Sequence, residues 1–196
     1  MMAQLKMSII MVAMTTFMVM SYPCMGEEWA KTTKLDPLGK SCQTILKFYL
    51  HDIMSPGPYT SAKAIAKADD TATSPTGFGL LVMSDDRLTV GPMIDSTLVG
   101  QGQGMWGFDG RDKPSLIMDM SFTFKDGMYA GSSVTLVGNN PAYIEKNREV
   151  AVAGGTGLFR MARGYALLST YSFDAVAGDA VIGYNITLYH SCDAPY

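Results

Sequence analysis

Apolar and polar residues alternate with a period of two along most of this chain, and that pattern limits its fold more than any other feature does. In residues 44–53, Leu46, Phe48 and Leu50 fall on one face and Lys47 on the other. Side chains with this spacing point to opposite faces of a β-strand. Outside the N-terminal segment, no stretch keeps the apolar spacing of three and four residues that an amphipathic helix needs. The chain is therefore predicted to be all-β.

Eight segments show this alternation and are predicted to be strands. Glycine, proline, asparagine and aspartate separate them, and Asp126-Gly127 is typical of a hairpin turn. Eight antiparallel strands can close into a barrel whose interior holds side chains or one small ligand. A two-sheet sandwich is the alternative, and the hairpin links favour the barrel. The predicted strands are residues 44–53, 78–84, 97–107, 116–125, 128–138, 145–153, 160–173 and 180–190.

The remaining segments are predicted to connect or precede these strands. The barrel domain is assigned to residues 43–196, and residues 27–42 are predicted to be a mobile leader because they are polar and mixed. Residues 55–76, rich in alanine, serine, threonine and aspartate, are predicted to be a long loop, a place where function often resides. The glycines of residues 154–157 predict a turn.

The N-terminus has the three parts of a secretory signal. Lys6 supplies a positive charge, residues 7–20 are an uncharged apolar run, and small residues lead to Gly26. A membrane anchor is the alternative, but a spanning helix needs roughly 20 apolar residues and this run is shorter. Residues 1–26 are therefore predicted to be removed. We expect a secreted chain with no membrane partner.

Two cysteines remain after the predicted cleavage, Cys42 and Cys192. A pair in a secreted chain predicts a disulfide, here closing a loop of about 150 residues, with two free buried thiols as the alternative. Asn185-Ile186-Thr187 is an N-glycosylation sequon, so Asn185 is the predicted glycan site.

Composition excludes several classes of function. The chain has 15 lysines and arginines against 18 aspartates and glutamates, with a formal net charge of −3 and no basic block, so a nucleic-acid partner is not expected. It has only 2 histidines and no paired metal-ligand motif, and it lacks the G-x-S-x-G pattern of a nucleophilic hydrolase. No metal and no other cofactor is predicted.

Charged residues on apolar strand faces are the best candidates for chemistry. Asp52 continues the face of Phe48 and Leu50, and Arg148 shares a face with Val150. Buried charges are costly unless they are paired or hydrogen-bonded. Asp52 could move a proton on a phenol or quinone methide, and Arg148 could stabilise negative charge on a carbonyl oxygen. The alternative is a structural ion pair at the barrel end.

Other side chains could contribute to a pocket. Asp85 and Asp86 lie in the predicted connection 84–92, where such a pair is either solvated or functional. Some of the aromatic residues could line a pocket for a flat aromatic ligand, although most are expected to fill the core. These aromatic residues are Trp106, Phe122, Phe124, Tyr165, Phe173 and Tyr184.

Several ordered motifs together resemble the plant dirigent family, from about residue 42 to residue 192. The motifs are Phe48-Tyr49-Leu50-His51-Asp52-Ile53, Gly77-Phe78-Gly79, Asp85-Asp86-Arg87-Leu88-Thr89-Val90-Gly91-Pro92, Val99-Gly100-Gln101-Gly102-Gln103-Gly104, Arg148-Glu149-Val150, the glycine-rich run from Gly154 to Ala166, and Tyr184-Asn185-Ile186-Thr187. The resemblance implies an eight-stranded antiparallel barrel that forms a homo-oligomer, a trimer or else a dimer, in the apoplast or cell wall. It also implies steering of phenoxy-radical coupling, as with radicals from coniferyl alcohol in lignan formation, after a laccase or peroxidase has oxidised the substrate.

The resemblance also implies roles for single residues. Asp52 falls on the family's pocket carboxylate and Arg148 on its pocket arginine, and we take both as candidate catalytic residues. Two positions depart from the lignan-forming pattern, because Trp106 replaces a pocket tyrosine and Asn140 replaces a second pocket aspartate. The loss of that carboxylate weighs against pinoresinol-type cyclisation. The candidate substrate-binding residues are Asp86, Gln103, Trp106, Asn140, Phe173 and Tyr184.

Three functions remain open from the sequence. The leading hypothesis is a dirigent protein that gives stereoselectivity to phenoxy-radical coupling and does not itself oxidise the substrate. Some relatives act on quinone methides as true enzymes, so a cyclase or lyase of pterocarpan-synthase type is the first alternative. A non-catalytic cell-wall binding protein is the second. The need for an oxidant separates the first two. The third predicts ligand binding or wall localisation that survives substitution of Asp52 and Arg148.

Overall fold

A computed structural model describes residues 28–37, 40–142 and 147–192, so the predicted signal peptide lies outside the described residues. Its secondary structure there consists almost entirely of strands, with three single-turn 3₁₀ helices at Thr71–Thr73, Gly127–Tyr129 and Gly157–Phe159. The strands are β1 (Ala30–Lys34), β2 (Ser41–Asp52), β3 (Ala62–Ala66), β4 (Leu81–Thr89), β5 (Leu98–Phe108), β6 (Leu116–Phe124), β7 (Ser133–Asn140), β8 (Asn147–Thr156), β9 (Arg163–Phe173) and β10 (Ala180–Ser191).

Eight of these strands form a closed antiparallel barrel. The order around it is β2, β10, β9, β8, β7, β6, β5 and β4, and β4 pairs back to β2. The closing ladder places Tyr49 opposite Thr89 and His51 opposite Arg87. Closure satisfies the backbone hydrogen bonds that a sheet edge would leave unpaired. The predicted barrel is confirmed over the sandwich.

Two short strands lie beside the barrel in segments where the sequence predicted none. Ala30–Lys34, within the predicted leader, pairs with the first half of β2, and Ala62–Ala66, within the predicted loop, pairs with β4. β1 and β3 are largely exposed and bury no apolar face. Their sequences therefore show no clear apolar alternation. Their pairing comes from the neighbouring backbone rather than from a buried face, which is why the period-two pattern missed them.

The Asp85–Asp86 segment is a correction to the sequence analysis. These residues lie inside strand β4 and not in a connection. Val82, Ser84, Asp86 and Leu88 alternate inward, so two of the four buried side chains are polar and hide the strand pattern. The predicted turn at 154–157 was likewise wrong in part, because β8 continues through Gly154 and Gly155 to Thr156.

Aromatic side chains fill one end of the barrel. Phe48 packs edge-on to Phe122 with ring centroids 5.6 Å apart, and Tyr129 stacks on Phe159 at 5.8 Å. Trp29, just before β1, covers this end, because its ring lies 5.4 Å from those of Phe124 and Tyr129. This end is therefore closed, and any ligand must enter from the other.

The disulfide between Cys42 and Cys192 is confirmed, with Cα atoms 5.2 Å apart. Cys42 lies near the start of β2, and Cys192 directly follows β10, its neighbour in the barrel. The bond therefore joins the first and last barrel strands at the closed end. The alternative of two free thiols is wrong.

Candidate functional site

A cavity of about 350 Å³ occupies the open end of the barrel. Every barrel strand contributes to its wall, because the residues near one end of each strand point inward. Aliphatic, thioether and aromatic side chains make up most of the lining, as is usual for small-molecule sites. The lining residues are Leu50, Asp52, Asp86, Trp106, Leu116, Met118, Met120, Asn140, Ala142, Arg148, Thr170, Phe173, Gly178, Ala180, Ile182 and Tyr184.

Two buried carboxyl groups face this cavity from the seam between β2 and β4. Asp52 ends β2 and is 8% exposed, whereas Asp86 lies within β4 and is 1% exposed. Oδ1 of Asp86 accepts a hydrogen bond from the Ser61 hydroxyl at 2.7 Å. Among the described residues, Oδ1 of Asp52 and Oδ2 of Asp86 have no hydrogen-bond partner. Both oxygen atoms are buried and lack a protein hydrogen-bond donor.

Burial dominates the acid–base behaviour of this pair. It raises the pKa of Asp52 to about 7, while the indole N–H of Trp106 lowers it and the charge of Asp179 raises it. Burial and the charge of Asp52 raise the pKa of Asp86 well above its usual range, and the Ser61 hydrogen bond opposes them. The pair can therefore hold at least one proton at neutral pH, since two carboxylates close together resist ionising.

A second polar group faces the cavity from the far wall. Strands β7 and β8 lie opposite the β2–β4 seam in the eight-strand order, and they carry Asn140 and Arg148. Arg148 is 1% exposed, and its Nη1 donates to Thr170 Oγ1 at 2.9 Å. Burial lowers the pKa of Arg148, but an arginine remains a cation in proteins. The cavity therefore has an acidic side and a cationic side.

Apolar side chains separate the two polar sides. Met118 and Met120 of β6 form one wall, and Ile182 of β10 lies on the other. Tyr184 stacks on Phe48 with centroids 5.4 Å apart, and burial raises the pKa of its hydroxyl, which stays protonated. A flat aromatic ligand fits such walls, because its faces meet carbon and sulfur while its polar ends meet charge.

Neither a metal centre nor a membrane-spanning helix is found in the described ranges. No group of three or more histidine, cysteine, aspartate or glutamate side chains is placed to hold a metal ion among those residues. None of their helices is long and apolar enough to cross a bilayer.

Comparison with known proteins identifies the family. A family model described as Dirigent-like protein matches residues 43–189. This chain belongs to the dirigent family. Dirigent protein 23 of Arabidopsis thaliana is 42% identical over 182 residues, covering 90% of this chain and 95% of that protein. Pterocarpan synthase 1 of Glycyrrhiza echinata is 42% identical over 147 residues, covering 75% of this chain and 78% of that protein.

Solved structures of dirigent proteins share the same barrel. The structure of a pterocarpan synthase dirigent protein matches with a TM-score of 0.73 at 40% identity, covering 77% of this chain and 86% of that one. A second pterocarpan synthase dirigent protein matches with a TM-score of 0.67 at 39% identity, covering 76% of this chain and 95% of that one. The dirigent resemblance of the motifs is thereby confirmed.

The dirigent barrel brings most of the candidate residues together. Of the eight candidate catalytic and substrate-binding residues, seven line the cavity: Asp52, Asp86, Trp106, Asn140, Arg148, Phe173 and Tyr184. Phe173 lies at the rim and is 46% exposed. Gln103 does not belong to this group, because it is exposed on the outer face of β5, one residue out of phase with Gly102 and Gly104. Its assignment to the substrate site is therefore not supported by its position.

Several residues in the dirigent pocket or beside it carried no signal in the sequence. Thr170 contacts Arg148 from a neighbouring strand, and Ser61 contacts Asp86 from a segment predicted to be loop. Met118 and Met120 alternate along β6 with exposed residues, as residues of a filled core also do. Single-strand periodicity identifies inward faces, but it does not indicate which inward residues surround an unfilled space.

The predicted glycan site lies away from the cavity. Asn185 is exposed on the outer face of β10, whereas its neighbours Tyr184 and Ile186 are buried inside the barrel. A glycan at this position would extend into solvent and leave the cavity mouth open.

Proposed function

We propose that this dirigent protein holds a flat phenolic molecule in its barrel cavity and sets the stereochemistry of bond formation at a quinone methide. One observation carries the proposal: Asp52 and Asp86 are buried carboxyl groups that face a largely apolar cavity. Groups with this environment keep a proton near neutral pH and can exchange it with a substrate. The family acts on phenolic substrates, and two of its solved members are pterocarpan synthases.

The acidic side of the cavity suits the attacking phenol, and the cationic side suits the oxygen atom on which negative charge develops. In an intramolecular ring closure, a phenol oxygen attacks the methide carbon and forms a C–O bond, while the electron pair moves to the ketone oxygen. The phenol proton passes to the ionised carboxylate of the acid pair, and the Arg148 guanidinium stabilises the phenoxide that develops. The phenoxide regains a proton from water on release, and the carboxyl group returns its proton to solvent. No oxidant is consumed.

Stereoselectivity would come from the orientation of the substrate in the cavity. The two polar sides fix the direction of the ligand, and the walls formed by Met118, Met120 and Ile182 decide which face of the methide is open to attack. A cavity of about 350 Å³ admits one such molecule in a restricted pose.

Radical coupling is the second candidate, and the apolar walls favour it. Phenoxy radicals need orientation and no proton donor. The aromatic rings of Trp106 and Phe173 would supply surfaces on which they stack. A laccase or peroxidase would then generate the radicals outside the barrel. This reaction differs from the first because it requires a one-electron oxidant.

The same proposal includes where the protein works. Proteins of this family are generally extracellular. We infer that residues 1–26 direct secretion to the apoplast or cell wall, that Asn185 carries a glycan, and that the barrel assembles as a homo-oligomer, most simply a trimer. The Cys42–Cys192 disulfide supports an oxidising compartment.

A chiral product assay tests the function. Isoflavanol-type alcohols that form quinone methides are incubated with the protein alone, and coniferyl alcohol is incubated with laccase in the presence and absence of the protein. We expect one enantiomer in excess without oxidant, lost in Asp52→Asn and retained in Asp119→Asn, an exposed carboxylate on the outer face of β6. Enantiomeric excess only with laccase would favour radical coupling. Racemic or absent product in every reaction would rule out both and leave a binding protein.

A further inference from the structure

Ser61 lies outside the barrel cavity, yet its hydroxyl group reaches the acid pair. Its Oγ is 2.7 Å from Oδ1 of Asp86, 3.1 Å from the carbonyl oxygen of His51 and 3.0 Å from the backbone nitrogen of Ile53. On its other side, Ser61 borders a shallow pocket of about 310 Å³ on the outer surface. The residue therefore approaches Asp86 from behind, where a substrate in the barrel does not reach.

A hydroxyl group has one proton and two acceptor sites, and the neighbours of Ser61 use them in two ways. When Asp86 is ionised, the hydroxyl donates to Oδ1. When Asp86 is protonated on Oδ1, its carboxyl O–H donates to Ser61 Oγ, and the serine turns its own proton to the His51 carbonyl. The Ile53 N–H donates to Oγ in both arrangements. Each state is hydrogen-bonded, and only hydrogen atoms move.

We propose that Ser61 is a positioning residue for Asp86, whose hydroxyl satisfies that carboxyl group in both protonation states so that Asp86 exchanges a proton without changing its position. This inference rests on the proposed proton-transfer function and deepens it. An alanine at this position would leave Oδ1 of Asp86 without its donor in the ionised state, and burial would then favour the protonated state further.

Two backbone hydrogen bonds that join Ser61 to its neighbours do not use its side chain, whereas the Ile53 N–H loses its acceptor when the hydroxyl is removed. The Ser61 N–H donates to the Ile53 carbonyl, and the Asp85 N–H donates to the Ser61 carbonyl. A substitution of the hydroxyl should therefore leave these strands joined. The charged and titratable groups that act on Asp86 or on its partners in the cavity stay in place: Asp52, Asp85, Arg148, Asp179 and Tyr184.

The experiment compares Ser61→Thr with Ser61→Val, which have the same shape and differ in the hydroxyl group. Infrared difference spectra of the secreted full-length protein follow the carboxyl C=O band as pH changes, and Asp86→Asn identifies the band of Asp86. We expect the midpoint of that band to rise by about one to two pH units in Ser61→Val and to stay near the wild-type value in Ser61→Thr. Ser61→Ala serves as a second hydroxyl-free variant in case valine does not fold.

The outcomes separate this inference from the proposed function. The role of Ser61 is overturned, whatever the activity, if a folded hydroxyl-free variant keeps the wild-type midpoint of the Asp86 band. A midpoint that shifts in the hydroxyl-free variant and not in Ser61→Thr supports the role of Ser61. If no phenolic substrate is converted in the same experiments, only the proposed function fails. A threonine variant with the same shift as valine also overturns the inference, because the hydroxyl would then be irrelevant.

Discussion

Asp52 and Asp86 face one cavity from the two strands whose pairing closes the barrel. His51 and Arg87 form the last pair of that ladder, and each carboxylate stands one residue further toward the open end, on the inward face. Side chains of neighbouring residues in a strand point to opposite faces. His51 therefore points away from the barrel interior, although it is buried, and both carboxyl groups point into the barrel. Barrel closure thus creates the acid pair.

Replacing Asp52 with asparagine should stabilise the protein at neutral pH. The folded-state pKa of Asp52 is about 7, against 3.8 for the free side chain. The unfolded chain therefore loses this proton at lower pH than the folded one, so wild-type stability falls as pH rises from about 4 to 7 and then levels off. We expect Asp52→Asn to gain about 2–4 kcal/mol in free energy of unfolding at pH 8, and little at pH 3.5, measured by urea denaturation.

Asp119→Asn is the matched control for this titration, because Asp119 is an exposed carboxylate on the outer face of β6. Its difference from wild type should stay within about 0.5 kcal/mol at both pH values. An Asp52→Asn gain that does not grow between pH 4 and 7 would contradict the raised pKa.

Arg148→Ala should lower the rate of the proposed reaction in protein that still folds. The guanidinium faces the cavity and is braced by Thr170, so its loss removes a cation from the site of developing negative charge. We expect kcat/KM for stereoselective product to fall at least tenfold, equivalent to about 1.4 kcal/mol. Thr170→Val, which removes only the brace, should cause a smaller loss. A wild-type rate in a folded Arg148→Ala protein would remove this residue from the mechanism.

Loss of the disulfide should lower stability substantially. Cys42 and Cys192 are separated by 150 residues, so their bond restricts the unfolded chain strongly. The chain-entropy model gives up to about 4–5 kcal/mol for such a loop, and measured values are often smaller. The double variant Cys42→Ala/Cys192→Ala should unfold at a lower urea concentration, with the slope of the transition checked for changes in the unfolded state. An unchanged midpoint would show that the strand pairing of β2 and β10 suffices.

Trp29 should act as a cover for the closed end of the barrel. Its ring packs on Phe124 and Tyr129, and its Nε1 donates to Asp126 at 2.9 Å. We expect Trp29→Ala to cost about 2–3 kcal/mol in free energy of unfolding and Trp29→Phe clearly less, because the phenyl ring keeps most of the packing. Ligand binding at the far end should be unaffected in both. Equal stability of alanine and phenylalanine variants would contradict a packing role.

Much of the fold and part of the site could be predicted from local patterns. Alternation placed Asp52 on the same face as Leu50 and Arg148 on the same face as Val150, and both faces are inside. The pattern failed at β4, because Ser84 and Asp86 point inward and mimic a polar loop. It also failed to anticipate β1 and β3, which are held by backbone pairing and bury few side chains.

The amino-acid sequence by itself determined the all-β class, the cysteine pair, the family and the inward direction of single strands, because each of these depends on neighbouring residues or on ordered motifs. Only the tertiary structure decided that Asp52 and Asp86 form a pair, that Arg148 faces them from the opposite wall, and that Ser61 supports Asp86 from outside. These relationships join residues far apart in the chain, and the register of barrel closure brings them together. Gln103 illustrates the difference, since a position one residue out of phase removes it from the cavity.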